Sequence, residues 1–391
     1  MQAGRLKEKL DTRNLRSQKP MASELERGRG KWKRFQFAIP NDEYYIGCYT
    51  SEMMYGLTRG DSVHNDAGRQ YAQLAPIGRP IFLYLMLSFG IAWVLWMLVI
   101  KALHGREELL NYGVSAPAIA GLILSASRMR AAERSGLIRW AVFVVVTAAD
   151  WVVISLFYNW RGGSGPIWRF DPLLAPVAML PAWVVSCAWL SDTGVRGFAR
   201  RIVHAPTRWT WVGPIGLIAL QIVPAYVVHL CGGTLVWPGG NAPVGQQVAK
   251  AGLFFAYNLL FVGLLEEPGW RGFLLDKLQL RFTPLVASLM VWLPWAAWHA
   301  PLDFYRPVRF SLVVWILLRV VFMIAYCILM AWLYNRSGRS IQATVMFHAT
   351  MNTAPFVLPY SPPAMALIFV WMAYAIVDGK MWRRGAMARS K

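Results

Sequence analysis

Leu264-Leu265-Glu266-Glu267-Pro268-Gly269-Trp270-Arg271-Gly272-Phe273 sets two adjacent carboxylates inside a chain that otherwise reads as serial membrane spans. An ionised carboxylate in hydrocarbon is costly, so a segment holding two of them points to use rather than packing. Taken alone, the pair also fits an interfacial helix end. Two later histidines in similarly apolar surroundings, His299 and His348, turn the reading toward chemistry.

The surrounding chain of 391 residues is 56% hydrophobic and 14% aromatic but only 15% charged, too apolar for an ordinary soluble protein of this size. The predicted fold class is all-α: a polytopic transmembrane helical bundle. A net charge of +20 could suggest nucleic acid as a partner. Most basic residues outside the N-terminal arm, however, fall in short connections between apolar runs, which topology explains and a polyanion ligand does not, so no nucleic acid is expected. Cys48, Cys187, Cys231 and Cys327 stand far apart with no CxxC pair, indicating neither a disulfide framework nor a thiolate metal site. Residues 1–79 form a polar arm of mixed charge with no apolar h-region near Met1, so no cleavable signal peptide is expected. Met21 is an alternative start, and the arm is expected to be partly disordered.

Since a span needs roughly 20 apolar residues, fewer when short and buried, about ten are predicted. They lie at 80–100, 112–127, 138–158, 172–190, 211–231, 249–278, 283–300, 311–334, 341–355 and 363–378. The second, fourth and ninth are the weakest, being short or proline-rich. Charge placement tests the layout, because Lys and Arg should alternate between rich and poor connections. Arg128, Arg130, Arg134, Arg139, Arg196, Arg200, Arg201, Arg208, Lys277, Arg281, Arg336, Arg339, Lys380, Arg383, Arg384, Arg389 and Lys391 fall on one side. Only Lys101, Arg106, Arg161, Arg169, Lys250, Arg306 and Arg309 fall on the other. The basic arm joins the rich side, so both termini are predicted cytoplasmic in a multi-pass protein of the cell (inner) membrane. Trp160, Trp168, Trp209, Trp211 and Trp382 sit at predicted span ends, as interfacial anchors do. The segment 194–204 mixes Val195, Phe198 and Ile202 with three arginines and is expected along the cytoplasmic membrane surface.

Depth links the polar groups. With Arg281 at the cytoplasmic edge, Glu266 lies roughly 22 Å in along a straight helix and His299 about 27 Å along the next. From Arg339, His348 and Asn352 lie roughly 13 and 20 Å in. Pro268-Gly269 is expected to bend or break its helix and to leave Glu266 facing a hydrated cavity. His348 and Asn352, four apart, share a helical face. Glu267 and Arg271 are also four apart, in the favourable acid-before-base order, which gives them a supporting role and leaves Glu266 as the base. Alone, His299 reads as a packed histidine and His348 with Asn352 as interhelical hydrogen-bonding glue. At matching depths they read together as one site. Asp150 is a weaker candidate for a proton relay, and Arg319 for pairing with Asp150 or Asp303 or for binding a substrate carboxylate. His229 falls near a span end, and His64, His104 and His204 fall in polar segments. No GxSxG and no HExxH occurs, which removes a nucleophile elbow and the common zinc-protease pattern.

These residues resemble the CPBP family of intramembrane endopeptidases, which includes type II CAAX prenyl proteases and bacterial bacteriocin-processing or self-immunity proteins. The family pattern is EExxxR, then FxxxH, then HxxxN or HxxxD. Glu266-Glu267-Pro268-Gly269-Trp270-Arg271 matches the first, His348–Asn352 matches the third, and the middle motif carries Trp295 in place of phenylalanine before His299. The resemblance covers about residues 249–356, leaving 80–248 as N-terminal spans and 357–391 as a last span with a basic tail. It implies that Glu266 activates water, that His299 orients it or shares its proton, and that His348 and Asn352 stabilise the oxyanion. Glu267 and Arg271 would support them. Family members are described both as metalloproteases and as metal-independent glutamate peptidases. Glu266, His299 and His348 would be the zinc ligands if a metal takes part. The metal-free version with no cofactor is favoured, because the sequence offers no outer carboxylate behind either histidine. The expected substrate is a peptide or lipidated peptide at the lipid bilayer. A proton- or ion-coupled transporter and a non-catalytic peptide-binding immunity protein are the alternatives. The absence of a visible internal repeat counts against the transporter.

Overall fold

The computed structural model describes residues 33–38, 44–49 and 78–384, apart from short connections at 104–105, 127–135, 163–169, 191–192, 204–205, 236, 239–242, 306–310 and 360–361. His64, His104, His204, Trp168, Arg306 and Arg309 lie outside the described residues. The chain divides into two units, Met1–Ala75 and Pro76–Lys391. In the first, β1 (Lys33–Ala38) and β2 (Tyr44–Tyr49) pair antiparallel, with Lys33 opposite Tyr49 and Ala38 opposite Tyr44. This short hairpin departs from the all-α expectation, which holds across the described residues of the second unit. The rest of the arm, on which the disorder expectation bears, lies outside the described residues.

The second unit is helical among its described residues. In chain order it contains α1 (Gly78–Ala102), α2 (Ala116–Ser125), α3 (Leu137–Gly162), α4 (Ala175–Ser186), α5 (Thr193–Arg200), α6 (Arg208–Leu230) and α7 (Val244–Leu278). There follow α8 (Pro284–Trp298), α9 (Ala300–Tyr305), α10 (Leu312–Arg336), α11 (Ile341–Val357) and α12 (Pro362–Asp378). Each predicted apolar run contains a helix. Six are long and apolar enough to cross a membrane: Gly78–Ala102, Leu137–Arg161, Pro172–Trp189, Arg208–Leu230, Val244–Leu278 and Leu312–Arg336. Pro284–Trp298 and Pro362–Asp378 are shorter apolar helices.

Pro268-Gly269 does not break α7. The proline keeps helical angles, φ −56° and ψ −39°, and the helix widens into π turns at Asn258–Gly263 and Pro268–Leu275. One ordinary turn, Leu264–Glu267, remains between them. Widening accommodates the missing proline N–H within a continuous helix, and such π segments recur at functional sites. The segment expected along the membrane surface is corrected too. Val195, Phe198 and Ile202 are buried in the main protein core, so the apolar face of α5 meets other helices rather than lipid.

Helices in a membrane gain little from the hydrophobic effect against one another and rely on close packing, which small residues allow. Two glycines flank the acidic turn of α7. A Cβ on Gly263 would lie 2.9 Å from the Val345 carbonyl oxygen of α11, and one on Gly269 would lie 2.3 Å from the Pro117 carbonyl oxygen of α2. Both neighbours are backbone and cannot swing aside. These glycines let α11 and α2 press against the turn that carries Glu266 and Glu267. Asn258 adds a polar tie between α7 and α11 by donating to Thr353 Oγ1 at 3.3 Å.

Gly269→Ala should therefore lower stability by about 1–3 kcal/mol, the usual overpacking penalty. Gly252→Ala in the same helix, where an added Cβ meets nothing within 4 Å, should be neutral. Thermal unfolding in detergent reads both, and equal melting temperatures for the two variants would contradict this packing.

Candidate active site

Glu266 and Glu267 occupy the single ordinary turn between the two π segments of α7, and they are 2% and 0% exposed. Glu266 is therefore buried within the helical unit. Glu267 is the better partnered of the two. Its Oε1 accepts from Arg271 Nη1 at 2.7 Å and from His348 Nδ1 at 2.7 Å. The π turn does not separate Glu267 from Arg271, and the ion pair forms with both side chains at 0% exposure. The His348 bond follows from the glycine contact. Helical side chains lean toward the N-terminus of their own helix, so Glu267 and His348 both tilt back toward the Gly263–Val345 approach and meet there.

Trp295 of α8 joins the remaining parts. Its indole Nε1 donates to Glu266 Oε2 at 2.8 Å, and its ring lies under the Arg271 guanidinium, 4.1 Å from centroid to Cζ. His348 meets the ring edge-on at 5.5 Å and 77°. The Trp295 carbonyl accepts from His299 Nδ1 at 2.8 Å. That last bond exists because α8 ends here. The backbone N–H of His299 turns to Ala296 and Ala297, and the Trp295 carbonyl takes the imidazole in its place.

A second aromatic layer fixes His299 from α1. Trp298 stands edge-on to the imidazole at 5.0 Å and 86°, and its Nε1 donates to the Ser88 carbonyl at 3.2 Å. The Trp298 carbonyl accepts in turn from Trp93 Nε1 at 3.0 Å. Sequence reasoning missed Ser88 and Trp93 as supports, and missed the bonds of Trp295 to Glu266 and of Glu267 to His348. The available signal was the indole N–H, which needs an acceptor wherever it is buried. Asn352, one turn beyond His348 on α11, is half-buried.

Arg319 pairs with Asp303 and not with Asp150, donating from Nε and Nη2 at 2.8 and 2.9 Å. Trp315 Nε1 donates to the same carboxylate at 3.1 Å. Both Asp150 oxygens are buried without a hydrogen-bond partner.

Tautomers follow from these partners. His299 must donate from Nδ1 to a carbonyl, which leaves Nε2 as its accepting nitrogen. His348 donates from Nδ1 to a carboxylate. The expectation that no carboxylate stands behind either histidine is thus corrected, since Glu267 stands behind His348, an arrangement common for metal-bound imidazoles. Against a metal fit, among the described residues no three His, Cys, Asp or Glu side chains are gathered so that they could hold one ion. Glu266, His299 and His348 as arranged do not form a ligand set.

Comparison with known proteins bears on the same stretch. Residues 249–354 match the family of type II CAAX prenyl endopeptidases described as Rce1-like. A CAAX prenyl protease 2 from Methanococcus maripaludis is 32% identical over 101 residues, covering 25% of this chain and 37% of that protein. The chain therefore matches little more than a third of its relative's length. Every side chain of the cluster on α7, α8 and α11 falls inside the matched region, and the α1 supports fall outside it.

Removing one member of a buried ion pair leaves the other charge unpaired at a cost of about 3–5 kcal/mol. Arg271→Met should lower the unfolding free energy by that order, read by denaturant or thermal unfolding. A variant as stable as the parent would contradict a fully buried Glu267–Arg271 pair.

Proposed function

We propose that this chain, whose residues 249–354 match the Rce1-like family of type II CAAX prenyl endopeptidases, is an intramembrane endopeptidase hydrolysing membrane-associated or lipidated peptides. The observation that carries the reading is the convergence of α7, α8 and α11 on one buried centre, through the bonds of Trp295 to Glu266 and of Glu267 to His348. A buried carboxylate linked through Trp295 to two oriented imidazoles suits general-base attack of water on an amide.

In the proposed reaction Glu266 takes a proton from water as the oxygen attacks the scissile carbonyl carbon. The carbonyl π pair moves to oxygen, giving a tetrahedral oxyanion. Collapse breaks the C–N bond, and the proton held by Glu266 passes to the leaving amine. His299, accepting at Nε2, orients the water. His348 donates to the oxyanion from Nε2 in its cationic form, and the oxyanion itself balances that charge because Glu267 is already paired with Arg271. Asn352 supplies a second donor from the same face of α11. Glu267 and Arg271 hold His348 in place. The reading takes the metal-free route, with zinc dependence as the competing outcome. The same reading takes the chain as about ten crossings with both termini on the cytoplasmic side of the cell membrane.

Purified protein tested on a panel of lipidated and unmodified peptides, with and without chelator, checks this. Cleavage that survives chelation and falls by at least about 10³-fold in Glu266→Ala and His299→Ala is expected. Chelator-sensitive cleavage would replace the metal-free route. Normal turnover by Glu266→Ala would overturn the catalytic assignment. Proton-coupled flux in liposomes without hydrolysis would favour a transporter, and peptide protection retained in Glu266→Ala would favour a sequestering protein.

A further inference from the structure

Trp295 stands where the family pattern carries phenylalanine, and this exchange adds one atom with chemical consequence, the indole Nε1–H. Phenylalanine could fill the same space and present a face to Arg271, but it has no donor. Here the donor is spent on Glu266 Oε2 at 2.8 Å, with the indole 1% exposed and the carboxylate 2% exposed. The residue also faces Arg271 at 4.1 Å, meets His348 edge-on at 5.5 Å, and holds His299 through its main-chain oxygen at 2.8 Å. One side chain and its carbonyl thus touch four polar groups carried by three helices.

We infer that Trp295 is a positioning residue for the proposed hydrolysis: its indole N–H fixes the rotation of the Glu266 carboxylate so that Oε1 is the oxygen presented to the attacking water. The inference rests on the proteolytic reading for its consequence in turnover, but the link itself is physical and can be measured apart from catalysis. A carboxylate free to rotate offers either oxygen in many orientations. One anchored through Oε2 offers a single oxygen along a defined direction, and reaction rates are steep in such alignment. Burial strengthens the anchor, because water is not available to compete for either partner. Main-chain capture of His299 would persist in any substitution of Trp295 that keeps α8, so the indole bond can be removed alone.

Trp295→Phe deletes the N–H and keeps an aromatic face under Arg271. In the proteolysis assay kcat should fall roughly 10- to 100-fold with KM unchanged. Thermal unfolding supplies the second reading, which needs no substrate. Trp295→Phe should lower the melting temperature by about 3 °C when Glu266 is present and by much less in a Glu266→Leu background, where the acceptor is gone. Trp295→His, which retains a ring N–H, should recover part of the lost kcat. An unchanged kcat in Trp295→Phe, or equal melting shifts in the two backgrounds, would overturn the inference. If the parent protein cleaves no peptide, the proteolytic reading fails, and the melting cycle still decides whether Trp295 holds Glu266.

Discussion

Everything in the helical unit turns on how one buried carboxylate is satisfied. Glu267 lies at 0% exposure and gives the same oxygen to Arg271 and to His348, each at 2.7 Å. A charge in such surroundings must be paired or the structure does not hold. Arg271 supplies the charge from one turn along α7, and the indole face of Trp295 covers the guanidinium. The arrangement commits three helices at once. α7 brings the ion pair, α11 brings the imidazole that shares the carboxylate, and α8 brings the aromatic ring that closes it. Glu266, next in the chain, is then held in the same buried centre by the indole N–H.

The packing follows from that demand. A carboxylate can share an oxygen across two helices only if their backbones come close, and glycine at 263 allows α11 to do so. On the opposite flank Gly269 admits α2 against the π turn. The π turns are the local cost of fitting Pro268 and the acidic pair into one helix, and they leave a single ordinary turn for the two glutamates. Farther out, α1 fastens the end of α8 through Trp93, Ser88 and Trp298, so the histidine there is set by a helix distant in sequence.

What the sequence made legible was whatever depends on spacing along one element. The apolar runs located the helices, and four-residue spacing linked Glu267 with Arg271 and aligned His348 with Asn352. The shared depth of four polar groups along three different runs suggested one centre. What spacing could not supply was contact between elements. That Glu267 would serve His348 as well as Arg271 depends on a glycine approach that no periodicity announces, and the argument that neither histidine had a carboxylate behind it failed for that reason. Proline read as a break in α7 because a missing N–H usually ends an α-helix, yet a wider turn accommodates it. The arginine-rich α5 read as a surface element because its pattern is amphipathic, and amphipathicity does not say whether lipid or protein receives the apolar face.

The adjacency of α7 and α11 is the contact from which the shared carboxylate follows, and it can be measured without reference to activity. Asn258 and Thr353, hydrogen-bonded at 3.3 Å across these helices and outside the proposed catalytic set, are suitable reporters. In a background lacking the native cysteines, Asn258→Cys paired with Thr353→Cys should cross-link rapidly with a short thiol-reactive bridge in the native membrane. Failure of that pair to link in folded protein would mean that α7 and α11 are not neighbours and that Glu267 does not reach His348.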